Sequence, residues 1–232
     1  MINLPPDFFA VLKTTVDFYI LRHGQSEGNA VQILQGRGEY PLSETGRLQA
    51  AARGRALKAA LADNRPLFFS SPQGRARETA AIIAEKAGLG EAVFSEELME
   101  MSLGIWTGKA WDEVRNDALW PDFQAHSWDA IPEADSSALL YERALAAWAL
   151  LRDSAAEHGA EKVVAVTHGG LIQWLLKSTF HCHSWFPLFP ISNCGQFKLC
   201  VKPNQTGGAG MYWEEINSSV ANLPADMRGF PS

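Results

Sequence analysis

Two short apolar runs, far apart in the chain, each end in a histidine followed by glycine, and this pairing constrains the chain more than any other feature. The first, Asp17-Phe18-Tyr19-Ile20-Leu21, stops at Arg22-His23-Gly24; the second, Val163-Val164-Ala165-Val166, stops at Thr167-His168-Gly169-Gly170. Short runs of β-formers bounded by turn residues read as buried strands that end in loops. A third run, 66–69, leads into Ser70-Ser71-Pro72, which reads as a helix cap with proline at an early helical position. Helices are expected over about 43–62, with Ser43 as N-cap, from the Ser70-Ser71-Pro72 cap to about 87 before Gly88, over about 138–158 before Gly159, and over about 171–179. Gly24, Gly28, Gly36, Gly38 and Pro41 mark a long irregular stretch, and 197–201 and 211–215 read as late strands. Strands alternating with helices imply an α/β three-layer sandwich, a largely parallel sheet with helices on both faces. Ligands of such sheets bind beyond the carboxyl ends of the strands, and here two of those ends carry histidines.

Composition narrows the function classes. The 232 residues, 47% of them hydrophobic, suffice for one domain with a sizeable core, expected over about 16–202 with a lid-like insertion at about 100–137. A formal charge of −6 argues against a nucleic-acid partner, which needs a basic stripe. No apolar run is long enough to span a bilayer. Residues 1–15 lack the basic start and long apolar stretch of a signal peptide and read as an extra helical turn or two packed on the outside. Cys182, Cys194 and Cys200 form an odd set without CxxC spacing, read as reduced thiols of a cytoplasmic protein.

Four residue groups carry chemistry. Neutral histidine is reactive near pH 7 and accepts a phosphoryl group on a ring nitrogen, so His23 is either a nucleophile or a partly buried histidine with structural hydrogen bonds, the reading that the isolated tripeptide favours. Arg22 beside it offers a planar fork for phosphate oxygens, and Gly24 lets the backbone approach the bound group. Arg75, at the start of a helix after a strand, suits an oxyanion; the plain alternative is a solvated arginine paired with Glu78, a reading that fits Arg77 better. His168 is either a ligand-facing histidine or one satisfied in the core. Glu100, between Met99 and Met101 in an apolar loop, is either a general acid with a raised pKa or a surface glutamate.

Together these segments resemble the histidine phosphatase superfamily, the phosphoglycerate-mutase-like fold, from about residue 16 to 200. The family's arginine-histidine-glycine signature matches Arg22, His23 and Gly24; its phosphate-binding asparagine resembles Asn29; its second arginine matches Arg75, its proton donor Glu100, and its late histidine-glycine turn His168 and Gly169. One departure lies at Pro132-Glu133-Ala134-Asp135-Ser136, where the family often has glutamate before the serine. The resemblance implies a metal-independent phosphohydrolase of the histidine acid phosphatase type, without cofactor, acting on a small-molecule phosphomonoester. His23 would carry the phosphoryl group. Arg22, Arg75, Asn29 and a cationic or hydrogen-bonding His168 would hold its oxygens, with Gly24 and Gly169 lining the site, while Glu100 protonates the leaving alcohol.

Other readings stay in view. A metal centre at His23 and His168 is opposed by the adjacent arginines and by the lack of a carboxylate set, and His181-Cys182-His183 reads as loop histidines. A mutase needs extra basic groups for a bisphosphorylated acid, whereas the segment after Glu100 is acidic, with Asp112, Glu113, Asp117, Asp122, Asp129, Glu133 and Asp135. Trp111, Trp120, Phe123 and Trp128 there either pack the lid or meet an apolar leaving group. A phosphate-binding module without turnover is the reading of another class. Oligomeric state is open, a homodimer included.

Overall fold

The computed structural model describes residues 3–61, 65–205 and 207–219. Its sheet has six strands in the order β3-β2-β4-β1-β5-β6. β1 is Val16–Arg22, β2 Leu67–Ser70, β3 Val93–Phe94, β4 Lys162–Thr167, β5 Gln196–Pro203 and β6 Ala209–Ser218. The first four in that order run parallel, and β5 and β6 are antiparallel additions at the other edge. Side chains of a strand alternate between faces, and here both faces are apolar. Phe18, Ile20, Val163 and Ala165 enter one core cluster, while Tyr19, Leu21, Val164 and Val166 enter another. Helices α6 (Ser137–His158) and α7 (Gly169–Thr179) cover the first face through Leu140, Ala144, Trp148, Leu171 and Leu175. Helices α2 (Glu44–Leu61) and α3 (Gly74–Ala87) cover the second through Leu57, Leu61, Ala76, Ala80 and Ile83. This is the three-layer α/β sandwich that the strand-helix alternation predicts.

Local chemistry sets the element ends. Ser43 accepts the Gly46 amide at 3.1 Å as expected of the α2 cap, and α6 and α3 stop at left-handed Gly159 and Gly88. Position 62, where the sequence reading ended α2, lies outside the described residues. Four details differ from expectation. The irregular stretch after β1 holds a short helix, α1 (Glu27–Ala30), because Ser26 and Asn29 cap it reciprocally. Pro72 precedes α3 instead of entering it, with Gln73 at the N-cap position. The α7 helix begins at Gly169, two residues before the expected start, so its first amides face the site. Residues 5–12 form turns that bury Phe9 against Phe18 and Trp148, with Leu12 buried in the same core, instead of a helical turn or two packed on the outside. Residues 101–137 contain α4 (Trp111–Arg115), α5 (Trp120–His126) and short 3-10 turns.

β1 and β4 are neighbours in register, Arg22 beside Thr167, so the histidines that follow each strand meet at one end of the sheet. β2 lies on the other side of β4 and delivers Ser71 and the start of α3 to the same end.

Candidate active site

At that end the His23 and His168 rings lie 5.1 Å apart between centroids, and both are buried. His23 Nδ1 lies 2.6 Å from the carbonyl oxygen of Gly24. A carbonyl only accepts, so Nδ1 carries the proton and Nε2 keeps its lone pair. Arg75, buried at the first turn of α3, donates Nε–H to that Nε2 at 3.2 Å. Its two other nitrogens donate to the carbonyls of Gly38 and Gly36 at 2.8 and 2.7 Å, which fixes the guanidinium plane. Burial, then the charges of Arg75 and Arg22, hold the His23 pKa well below the ordinary histidine value. The ring is therefore neutral, and its basic Nε2 meets the Arg75 Nε–H.

His168 is shaped by Ser71, whose hydroxyl lies 2.8 Å from Nε2 and also accepts the Gln73 amide at 3.3 Å. The Ser71 hydroxyl can donate to Nε2 or accept from it, and where it donates, His168 Nδ1 carries the ring proton. Among the described residues, Nδ1 is a buried polar atom without a partner, and Arg22 Nε is another. Buried polar atoms of this kind suit the oxygens of a phosphoryl group. Arg22 is steadied through Nη1, which donates to the Ile191 carbonyl at 2.7 Å. Burial first, then Arg75, lowers the His168 pKa well below the usual range, which favours the hydrogen-bonding form over the cationic one.

The Glu100 carboxylate sits on the N-terminus of α7. Its Oε1 accepts from Met101 N at 2.9 Å and Leu171 N at 3.2 Å, and its Oε2 accepts from Gly170 N at 3.2 Å. A carboxylate offers about four lone-pair positions, so Oε2 retains one that can exchange a proton. The helix terminus favours a negative group there. Glu100 is thus held by amides, unlike the apolar slot that its methionine neighbours suggested. Asn29 completes the set: its Oδ1 accepts from Ser26 N at 3.2 Å and from Asn193 Nδ2 at 3.2 Å.

Against known proteins, a family model described as the histidine phosphatase superfamily (branch 1) matches residues 18–211. The chain belongs to the histidine phosphatase superfamily. It is 33% identical over 166 residues to phosphoglycerate mutase-like protein 4 of Arabidopsis thaliana, covering 69% of this chain and 70% of that one. It is 31% identical over 162 residues to the metal-independent phosphoserine phosphatase of the same plant, covering 68% of this chain and 66% of the other. Among solved structures, the mycobacterial glucosyl-3-phosphoglycerate phosphatase complexed with VO3 superposes with a TM-score of 0.75 at 27% identity, over 88% of this chain and 100% of that one. The sandwich is accordingly a phosphoglycerate-mutase-like fold.

In this member of the superfamily the residues that the sequence reading singled out for phosphate or proton chemistry reach the one site, but Gly24 has a further reason to be there. A Cβ at Gly24 would meet the Gly46 carbonyl oxygen at 2.5 Å, so close packing on α2 by itself requires the glycine. A Cβ at Gly169 would make ordinary contact with Arg22 Nε at 3.5 Å, whereas one at Gly170 would collide with Glu100 Oε1 and the Met101 side chain. Gly170 is the position that lets Glu100 reach the helix.

Several supporting residues went unread. Gln73 donates to the Gly36 carbonyl at 3.3 Å and accepts the Glu100 amide at 2.8 Å, tying both sides of the site together. Asp135, the family departure, pairs with Arg143 at 2.8 Å and Arg37 at 3.2 Å, and Arg143 in turn holds the Met99 carbonyl at 2.6 Å. Half-exposed Arg37 donates to the Glu100 carbonyl at 3.2 Å, so basic groups do flank Glu100, supplied from outside the acidic segment. Part of that acidity is answered locally, Asp112 by Arg115 and Asp117 by Lys109. The tryptophans of 106–128 pack on one another and on Phe123, with Trp106 and Trp128 buried, which favours lid packing over substrate contact. Arg77 lies over Phe94, Glu78 pairs with Arg47, and His183 stacks on Tyr141, so these residues are structural.

Proposed function

We propose that the chain hydrolyses small phosphomonoesters through a phosphohistidine on His23, as a metal-independent histidine acid phosphatase-type enzyme of the cytoplasm. The observation that carries this is the Nδ1 bond to Gly24, which leaves the neutral Nε2 lone pair among buried, cationic and unpaired donors. Nε2 attacks phosphorus in line with the leaving oxygen. Glu100 enters the cycle protonated at Oε2 and gives the leaving oxygen that proton as the P–O bond breaks. The Arg75 Nε–H passes from the ring nitrogen to a phosphoryl oxygen, and Arg22, His168 Nδ1–H and Asn29 hold the others, where negative charge resides. Water then attacks the phosphohistidine, Glu100 takes its proton, the P–N bond breaks and inorganic phosphate leaves. Positioning and fixed charge supply the catalysis. The free thiols of Cys182, Cys194 and Cys200 support the reducing compartment. Among the described residues, no helix is long and apolar enough to cross a membrane.

The test is a panel of sugar, nucleotide, amino-acid and acid phosphomonoesters with released phosphate as readout, run in the presence of a chelator. Turnover of one class by the wild type, absent in His23→Ala, is the expected result. No release from any ester, or equal release by the variant, refutes it. Arg37 and Arg143 beside Glu100 favour one second reading, a phosphotransferase of the mutase type. In that case a phosphorylated acid returns rearranged, with its phosphate retained.

A further inference from the structure

We propose that Asn193 is a positioning residue of the phosphate cradle, one that sets which end of the Asn29 amide faces the substrate. This rests on the phosphoryl-transfer reading above and adds a residue to it. Asn29 Oδ1 has three contacts within reach: Ser26 N at 3.2 Å, Ser26 Oγ at 3.0 Å and Asn193 Nδ2 at 3.2 Å. The Ser26 hydroxyl has one proton to give and a shorter acceptor, Gln35 Oε1 at 2.7 Å. Ser26 N and Asn193 Nδ2 therefore fill the two lone pairs of the Asn29 oxygen. An amide whose oxygen is saturated from behind presents its NH2 group forward, as a donor suited to a phosphoryl oxygen.

Asn193 is itself held from two sides. Its Nδ2 also lies 3.3 Å from the His23 carbonyl. The next residue, Cys194, donates its amide to that same carbonyl at 3.2 Å, and Arg22 N donates to Gly195 O at 3.1 Å. From α2, buried Arg53 donates Nε–H to the Cys194 carbonyl at 3.0 Å. The segment 191–195 thus moves as one piece with the backbone of the nucleophile, and Asn193 carries that registration to Asn29. Without its donor, the Asn29 amide can turn over and show its oxygen to the phosphate, converting an attraction into a repulsion.

The experiment is a double-mutant cycle of Asn193→Ala and Asn29→Ala, read as kcat/KM on nitrophenyl phosphate and, independently of turnover, as binding of inorganic phosphate by calorimetry. Loss of one well-placed hydrogen bond corresponds to about a tenfold change. Asn193→Ala should weaken phosphate binding and kcat/KM by about that factor in the wild type and by less than about twofold in the Asn29→Ala background, because the two residues act as one unit. Asn193→Asp, nearly isosteric but unable to donate, should lose at least as much, and by a smaller factor in the Asn29→Ala background, and it carries the test if the alanine variant fails to fold. Equal losses in both backgrounds, or no loss with Asn193→Asp, overturn the proposal. If the wild type binds phosphate and shows the coupling but turns over no ester, the positioning role stands and the hydrolase reading falls.

Discussion

Glu100→Gln separates proton donation from mere support, and the structure sets the size of each effect. The carboxylate accepts three amides, two at Oε1 and one at Oε2. A glutamine can keep its oxygen toward Met101 N and Leu171 N, but its NH2 then faces the Gly170 N–H, donor against donor. One bond to a charged acceptor is lost, worth about 1.5–3 kcal/mol, along with about 0.3–1 kcal/mol of favourable interaction with the α7 terminus. That cost appears in folding and is the same whatever the substrate. Proton donation is different, because an alkoxide leaves only with a proton whereas a nitrophenolate leaves without one. General-acid help is worth about 10²–10⁴-fold, so kcat/KM for an alkyl phosphate should fall on that order. With nitrophenyl phosphate the fall should stay within about tenfold of wild type, on the same principle. The assay is the pair of kcat/KM ratios, with a denaturation curve confirming that the variant is folded. Equal losses on both substrates would refute the reasoning, since they would place Glu100 in shaping the pocket or activating water alone.

Other outcomes follow from the same geometry. Gly170→Ala should push Glu100 off α7 and reproduce most of the alkyl-phosphate defect, while Gly169→Ala, whose Cβ has room, should stay within about twofold of wild type and keep or gain helix stability; equal behaviour of the two variants contradicts this. The pKa values of His23 and His168 are depressed by burial and arginines, so below about pH 6.5 the unfolded chain binds protons that the folded one refuses. Their stabilising contribution is complete above the unfolded value and is lost as pH falls toward the folded one, with a slope of about 1.4 kcal/mol per unit for each ring. His168→Asn should therefore flatten the decline in unfolding free energy between pH 6.5 and 5, and an unchanged slope measured by urea titration would count against it. Activity should survive exhaustive chelation and be inhibited by vanadate; loss on chelation, restored by a divalent ion, would point to metal chemistry.

Much of this was legible in the sequence, for a physical reason. Buried strands in an α/β sheet are near-continuous apolar runs, so β1 and β4 announce themselves, and the residues just past their ends are where ligands bind. His23, Arg22, His168, Arg75 and Glu100 could be named as candidates on such grounds, with Asn29, and the choice over their structural alternatives, following from the family pattern. What stayed hidden depends on contacts between distant segments. Gly170 differs from Gly169 only in what its missing Cβ would strike. Gln73 and Asn193 look like ordinary loop amides until Gly36, Glu100 and Asn29 fold against them. The Ser70-Ser71-Pro72 cap was misplaced because Ser71 is committed to His168 rather than to α3 alone. The two-residue β3, exposed at the sheet edge, carries no apolar signal long enough to read.

The most direct test of the central claim is to quench the enzyme during turnover of a labelled phosphomonoester and map the trapped phosphoryl group. The account predicts one acid-labile, base-stable adduct, on His23 and on its Nε2, because Nδ1 is bound to the Gly24 carbonyl. An adduct on a serine, on His168 or on Nδ1 of His23, or phosphate release without any adduct in a competent pre-steady-state experiment, would contradict it.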